Sequence, residues 1–343
     1  MTEYPFTPLV ASLPSTVPFV GPEAQERQRG APFVARIGAN ENVFGPSKKA
    51  IAAMQAVVGE TWMYGDPENH DLKAALAVKH DVAPQNIVVG EGIDCLFGYI
   101  NRMFVKDGVT VATSLGAYPT FNFHVAGFGG RLVTTPYVND CEDPGALLDL
   151  ARKENARLIY IANPDNPMAT WWDGATIRQM IDDVPDGALL CIDEAYGEFA
   201  PDGSLPPFDV SNPKVIRFRT FSKAYGMAGA RIGYAVGEAA LIKAFDKIRN
   251  HFGVNRIAQI GALASLNDPG HIPDVTARVA AARERITEIA AASDLAALPS
   301  ATNFVAIDCG RDGDFARKVL SGLISQGIFV RMPGVAPQDR CIR

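Results

Sequence analysis

The chain has 343 residues, 48% of them hydrophobic and 20% charged, with a formal net charge of −6; that length suits one large or two ordinary domains. The acidic balance speaks against a nucleic-acid or anionic-membrane partner, so an anionic ligand has to be caught by local arginines, and no run approaches the ~18 apolar residues that span a bilayer. Cys95, Cys141, Cys191, Cys309 and Cys341 are scattered without a C-x-x-C pair, which argues against a disulfide framework or a zinc site and fits a reducing cytoplasm.

Residues 1–35, with Glu3 near the start and four prolines by Pro18, are weakly periodic and read as an arm lying on another surface, not a signal peptide. Helical spacing follows over Pro46–Ala56 and Asp71–His80. Short apolar runs then stand at Ile87–Val89, Val109–Ala112, Leu132–Thr134, Leu158–Ala162, Leu189–Asp193, Val215–Phe218 and Ile232–Val236. Helical patterns such as Asp94–Val105 and Thr176–Asp182 fall between them. Runs of this kind are strands buried on both faces, and their alternation with helices predicts an α/β domain with a mostly parallel central sheet. A long helix is expected over Ala239–Asn250 and another over Ala277–Ala292. A strand at Asn303–Asp308, a helix at Asp314–Gln326 and a strand at Ile328–Arg331 then make a smaller α/β unit.

The segment Thr220–Arg231 (TFSKAYGMAGAR) follows the strand Lys214–Arg219 and sets one lysine among hydroxyls, glycines and an arginine. A lysine that forms a Schiff base needs a place where its amine can be neutral, and an anion beside it needs hydroxyls, backbone N–H groups and a guanidinium. Pyridoxal phosphate (PLP) makes both demands at once; a Ser/Thr turn with surface charges is the alternative. The loop Asn163-Pro164-Asp165-Asn166-Pro167 lies at the carboxyl end of a strand, where open α/β sheets bind ligands. Asp193 ends another apolar strand and therefore wants a cation, either a magnesium ion or a protonated pyridine nitrogen, with Tyr196 three residues on. No Walker-type glycine loop accompanies it. In Val89–Asp94 a glycine turn leads into a helix, whose free N–H groups suit a phosphate.

Taken together, NENVFGPS (40–47), MYGDPE (63–68), GEGID (90–94), YPTF (118–121), NPDNP (163–167), DEAYGEF (193–199), TFSKAYGMAGARIGYA (220–235) and NFVAID (303–308) resemble the fold-type I PLP-dependent aminotransferases, most closely the histidinol-phosphate aminotransferase branch. The resemblance runs from about Asn40 to the last residue. It implies the PLP-transferase fold: an arm at 1–40, a large cofactor-binding domain at 41–250 with helices on both faces of its sheet, and a small domain at 251–343 completed by the other chain end.

The resemblance also implies roles. Lys223 would join the cofactor's aldehyde and then carry a proton between the substrate Cα and the cofactor C4′. Asp193 would keep the pyridine nitrogen protonated, and Asn166 and Tyr196 would contact the ring oxygen. Ser222, Arg231, Thr220 and the N–H groups of Ile93 and Asp94 would take the phosphate. Phe121 would stack on the ring, ahead of Tyr118. Tyr64 would reach the cofactor of a neighbouring subunit, which implies a homodimer with shared sites. Asn40 and Arg343 would meet the substrate, Arg343 through its α-carboxylate, and Arg331 would hold a substrate phosphate. The implied reaction moves an amino group from L-histidinol phosphate to 2-oxoglutarate; an aromatic or other amino donor, or a lyase or decarboxylase on the same fold, is the rival. A transcription regulator that borrows the fold would need a basic helix-turn-helix segment, which residues 1–35 do not supply. Two departures stand out: Met168-Ala169 replace the usual Thr-Gly, and the sequence stops at Arg343, where relatives continue for about a strand and a helix, so truncation is expected.

Overall fold

The computed structural model describes residues 4–16 and 19–343; of the expected arm, residues 1–3 and 17–18, with Glu3 and Pro18, lie outside the described residues. The rest of the arm holds two helices, α1 (Pro8–Ser12) and α2 (Pro22–Arg29). α2 escaped the periodicity because its sequence PEAQERQR has no apolar stripe. After the two-residue strand β1 (Ala35–Arg36) come α3 (Lys48–Val57) and α4 (His70–His80). Ser47 caps α3 by accepting from the Ala50 N–H.

A seven-stranded sheet forms the centre. Its strands are β2 (Ile87–Gly90), β3 (Thr110–Ser114), β4 (Arg131–Thr135), β5 (Leu158–Ala162), β6 (Leu189–Asp193), β7 (Val215–Thr220) and β8 (Gly233–Gly237), in the order β2-β8-β7-β6-β5-β3-β4. β4, β3, β5, β6 and β7 run parallel, while β8 is antiparallel to both β7 and β2. Every residue of β3, β5 and β6 is buried, because helices cover both faces. One face packs on α5 (Ile93–Phe104) and α6 (Pro119–Gly127), with Phe97, Phe121 and Tyr160 inside. The other packs on α7 (Pro144–Glu154) and α8 (Gly174–Asp182), with Leu147, Ile159 and Ile177 inside. Asp143 and Asp173 cap those two helices.

The remaining helices are α9 (Ala239–Ala244), α10 (Arg256–Leu266), α11 (His271–Ala292) and α12 (Gly313–Ser325). The long helix expected over Ala239–Asn250 is not there. α9 ends at Ala244, and a 3₁₀ turn over Phe245–Lys247 drives Phe245 into the core at 0% exposure. The expected strand Asn303–Asp308 shortens to Ile307–Asp308, because the Ser300 and Thr302 hydroxyls donate to the Phe304 carbonyl at 2.6 and 3.0 Å and hold that stretch in a turn. Small strands β9 (Ala296–Ala297), β10 (Ile307–Asp308), β11 (Ile328–Phe329) and β12 (Cys341–Ile342) complete the chain. β1 pairs with β11, and β10 sits between β9 and β12, so the two ends of the chain meet. Among the described residues no helix is long and apolar enough to cross a membrane.

Candidate active site

The carboxyl edge of the parallel strands delivers three loops to one place: Asn163–Pro167 after β5, Asp193–Tyr196 after β6 and Phe221–Lys223 after β7. The reversed strand β8 starts at that same edge, since Gly233 pairs with both Thr220 and Gly90. It therefore brings Arg231 beside the start of α5. A cavity of about 290 Å³ opens there. Asn40, Ile93, Asp94, Asn166, Asp193, Tyr196, Thr220, Ser222, Lys223, Arg231 and Arg331 all line it, joined by Phe19, Tyr118 and Thr120.

Lys223 points its Nζ at the Asn40 carbonyl, 3.3 Å away, and lies 5.5 Å from the centre of the Tyr196 ring. Asn40 has a left-handed backbone, φ 57°. Its amide donates to the Tyr196 hydroxyl at 2.9 Å, and its side-chain oxygen accepts from Arg343 Nη1 at 3.3 Å.

At the other end, Arg231 also adopts positive φ and donates from Nη1 to Ser222 Oγ at 3.4 Å. Its Nη2 stands 4.0 Å from Asp94 Oδ2. Thr220 Oγ1 accepts the Ser222 N–H at 3.0 Å and shapes that turn. Gly92, φ 85°, precedes α5, and a Cβ there would meet Arg231 Nη2 at 2.5 Å. The glycine is required by this close approach as well as by its backbone.

Asp193 is 6% exposed. Its Oδ2 accepts from the Tyr160 hydroxyl at 2.8 Å and its Oδ1 from the Ala195 N–H at 2.9 Å. Burial pushes its carboxyl up to about 6, against the pull of these two donors and of Lys223. A carboxylate so desolvated is stabilised by a cation facing it. The Asn163–Pro167 loop contributes Asp165 to a second acidic cluster, with Glu142. Asp165, 2% exposed, accepts from Tyr137 at 2.8 Å and from the Met168 N–H at 2.7 Å, and burial raises its carboxyl to about 7. Burial raises Glu142 too, and the neighbouring Asp165 charge adds to that shift.

Three of the expected residues are not part of this lining. Phe121 does not line the cavity: it is fully buried on α6 and stacks on Tyr160, with ring centroids 4.3 Å apart. Tyr118, the residue that precedes α6, faces the cavity instead and donates to Asp94 Oδ1 at 3.0 Å. Tyr118 is the non-helical residue that caps the start of α6 (ψ 114°), so its side chain is free of the helix's own spacing, whereas Phe121 lies within the helix and is fully buried. Tyr64 stands outside the cavity, 76% exposed and 4.6 Å from the Phe252 ring centre. Arg343 sits behind the lining, 9% exposed, 4.8 Å over Phe304. Burial, with repulsion from Arg331, lowers it to about 10. Its backbone exchanges both hydrogen bonds with Arg331 at 2.8 and 2.9 Å. The Arg331 guanidinium lies 4.5 Å over the Phe19 ring.

The sequence reading missed Tyr160 and Phe19. A tyrosine inside the otherwise aliphatic run Leu158–Ala162 was the available signal for the first, since a buried hydroxyl needs a partner. Nothing local marks Phe19, which reaches the cavity from the arm.

Residues 34–343 match the family model for aminotransferase class I and II. The chain is 54% identical to histidinol-phosphate aminotransferase from Sinorhizobium meliloti, solved in complex with pyridoxal-5'-phosphate, with a TM-score of 0.97 over 100% of this chain and 93% of that one. It is 34% identical over 332 residues to histidinol-phosphate aminotransferase of Anaeromyxobacter sp. (strain Fw109-5), covering 94% of this chain and 89% of the relative. It is also 34% identical to the aromatic amino acid aminotransferase of Mycolicibacterium paratuberculosis, covering 98% and 95%. A family match across nine-tenths of the chain, on a fold whose strand ends gather these side chains, leaves one assignment: the chain belongs to the class I and II aminotransferases.

Proposed function

We propose that this protein is a PLP-dependent aminotransferase that exchanges an amino group between L-histidinol phosphate and 2-oxoglutarate, giving imidazole acetol phosphate and L-glutamate. The observation that carries the reading is the convergence of Lys223, Asp193, Asn166, Tyr196, Ser222, Arg231 and Arg331 on one cavity.

The residues fit the cofactor at both ends. Ser222, Arg231 and the start of α5 form an anion seat that a side chain at position 92 would fill. Asp193 offers a buried carboxylate at the far end. Bound there, PLP supplies an aldehyde for amines and a ring that accepts electrons from the substrate Cα–H bond. Arg231, Ser222, Thr220 and the N–H groups of Ile93 and Asp94 hold the phosphate. Asp193 would face the ring nitrogen and would keep its proton in place. Tyr196 and Asn166 hold the ring oxygen, and Tyr118, in place of Phe121, covers the ring. Lys223 Nζ would act as the base that takes the proton from the substrate Cα and hands it on to the cofactor's aldehyde carbon. Asn40 restrains Lys223 through its carbonyl and Tyr196 through its amide. Arg343 holds the substrate α-carboxylate when a 2-oxoacid or amino acid occupies the site, and Arg331 takes the phosphate of histidinol phosphate.

The active unit in this reading is a cytoplasmic homodimer in which the exposed Tyr64 of each subunit completes its neighbour's phosphate seat. The cofactor-binding domain spans 41–250, and residues 251–343 with the arm 1–40 make the small domain. One assay tests the substrate: incubate the enzyme with 2-oxoglutarate and a panel of donors, histidinol phosphate and aromatic amino acids included, and measure glutamate. Histidinol phosphate should give the highest kcat/KM, and Arg331→Ala should lower that value by at least about tenfold more than it lowers the value for phenylalanine. Equal losses, or a preference for the aromatic donors, would move the assignment to an aromatic aminotransferase, the name carried by the relative from Mycolicibacterium paratuberculosis.

A further inference from the structure

We propose that Tyr160 is a positioning residue for the Asp193 carboxylate, and that its hydroxyl aims that carboxylate at the cofactor's ring nitrogen. The inference rests on the reading of Asp193 given above.

β5 and β6 are parallel neighbours in which Tyr160 is in register with Cys191 and Ala162 with Asp193. Tyr160 and Asp193 are thus diagonal partners on one face of the sheet, close enough for a long side chain to bridge. The bridge is a hydrogen bond of 2.8 Å from the Tyr160 hydroxyl to Asp193 Oδ2. The Ala195 N–H occupies Oδ1 at 2.9 Å. One donor on each oxygen sets the plane of the carboxylate and leaves a lone pair on each for a partner in the cavity.

The donor is itself immobilised. Tyr160 is fully buried, its ring stacked on Phe121 at 4.3 Å with 22° between planes, and Phe97 meets it edge-on at 5.6 Å. This assigns Phe121 an indirect part: it holds the ring that holds the carboxylate. The hydroxyl also opposes the effect of burial, because a donor to Asp193 favours its charged form. Removing that donor leaves a buried carboxylate with one fewer hydrogen bond and freedom to rotate about χ2.

Tyr160→Phe in the holoenzyme tests this, since the phenyl ring keeps the stack on Phe121. The decisive readout is the ratio of binding affinities for PLP and for its 1-deaza analogue, in which a carbon replaces the ring nitrogen. Tyr160→Phe should shrink the preference for PLP about tenfold, with kcat reduced by a similar factor and KM for the amino donor within about twofold. In an Asp193→Asn background the same substitution should change kcat by less than about twofold. A ratio left unchanged, with both affinities reduced alike, would reduce Tyr160 to a packing residue and overturn the inference. If Asp193→Asn alone retains wild-type activity, the reading of Asp193 fails first. Should the Phe variant not fold, the wild-type holoenzyme decides. The Tyr160 hydroxyl proton, assigned by NMR through its ring carbons, should shift when PLP is exchanged for the deaza analogue. An unmoved signal overturns the proposal.

Discussion

Asn40 and Arg343, separated by 303 positions, are joined by a hydrogen bond of 3.3 Å from the guanidinium to the amide oxygen. The same amide donates to Tyr196, so one small side chain ties Arg343 to the tyrosine in the loop after β6. Asn40 holds this place in a left-handed backbone, which asparagine tolerates better than most residues. Asn40→Ala should lose both side-chain bonds and strain the backbone; Asn40→Gly should lose the bonds and relax it. We expect kcat/KM to fall about 10- to 100-fold in both variants, while thermal denaturation separates them, with the Gly form melting higher. Wild-type kcat/KM in the Gly variant would confine Asn40 to a backbone role.

Tyr64 stands 76% exposed beside Phe252, which is 53% exposed, outside the cavity of its own chain. Two large aromatic rings left in water are an unusual expense unless a partner covers them. Mixing inactive Tyr64→Ala and Lys223→Ala proteins should restore part of the activity, because one site in each hybrid dimer would carry neither substitution. Lys223→Ala alone should give no covalent adduct with PLP on borohydride reduction. Absence of complementation in a mixture shown to contain hybrids would argue against shared sites.

Two glycines with positive φ should respond differently to alanine. At Gly92 the new Cβ meets the end of the flexible Arg231 side chain, whereas at Gly226 it meets the Gly45 carbonyl oxygen at 2.2 Å. Backbone cannot step aside as a guanidinium can. Gly92→Ala should fold and bind PLP at least about tenfold more weakly, through displacement of Arg231. Gly226→Ala should lose more than about 2 kcal/mol of stability. Cofactor titration and urea denaturation measure the two outcomes; equal stability losses with unchanged cofactor affinity would refute the distinction.

A half-buried histidine and a buried aspartate pull stability in opposite directions as pH changes. Burial, with the nearby Arg219, Lys79 and Arg217 charges, lowers His80 to about 3, and its Nε2 lies 2.7 Å from the Tyr234 hydroxyl. The native state therefore binds fewer protons than the unfolded chain between about pH 3 and 6.5, so this contribution rises with pH across that window. Asp165, raised to about 7, does the reverse: the native state holds its proton longer, and stability falls as pH rises from about 4 to 7. Relative to wild type, His80→Gln should lose ground as pH rises from 3 to 6.5, and Asp165→Asn should gain ground from 4 to 7. Urea midpoints across that range check both signs, and parallel profiles for all three proteins would contradict them.

Much of the architecture was legible along the chain. The runs at Leu158–Ala162 and Leu189–Asp193 became β5 and β6 without a change of boundary, because strands buried on both faces show themselves in composition. The chemistry at strand ends was legible for a related reason: a lysine, a carboxylate or an asparagine placed right after an apolar strand arrives at the carboxyl edge of the sheet wherever the strand sits within it. Contacts between distant segments were not legible. Which of Tyr118 and Phe121 faces the cavity depends on where α6 starts and how it rolls on the sheet. The grip of Tyr160 on Asp193 depends on the register of two strands, and the meeting of Asn40 with Arg343 depends on β1 joining β11. Spacing along a chain encodes periodicity within one element, whereas the direction of a side chain and its remote partner are set only when elements pack against one another.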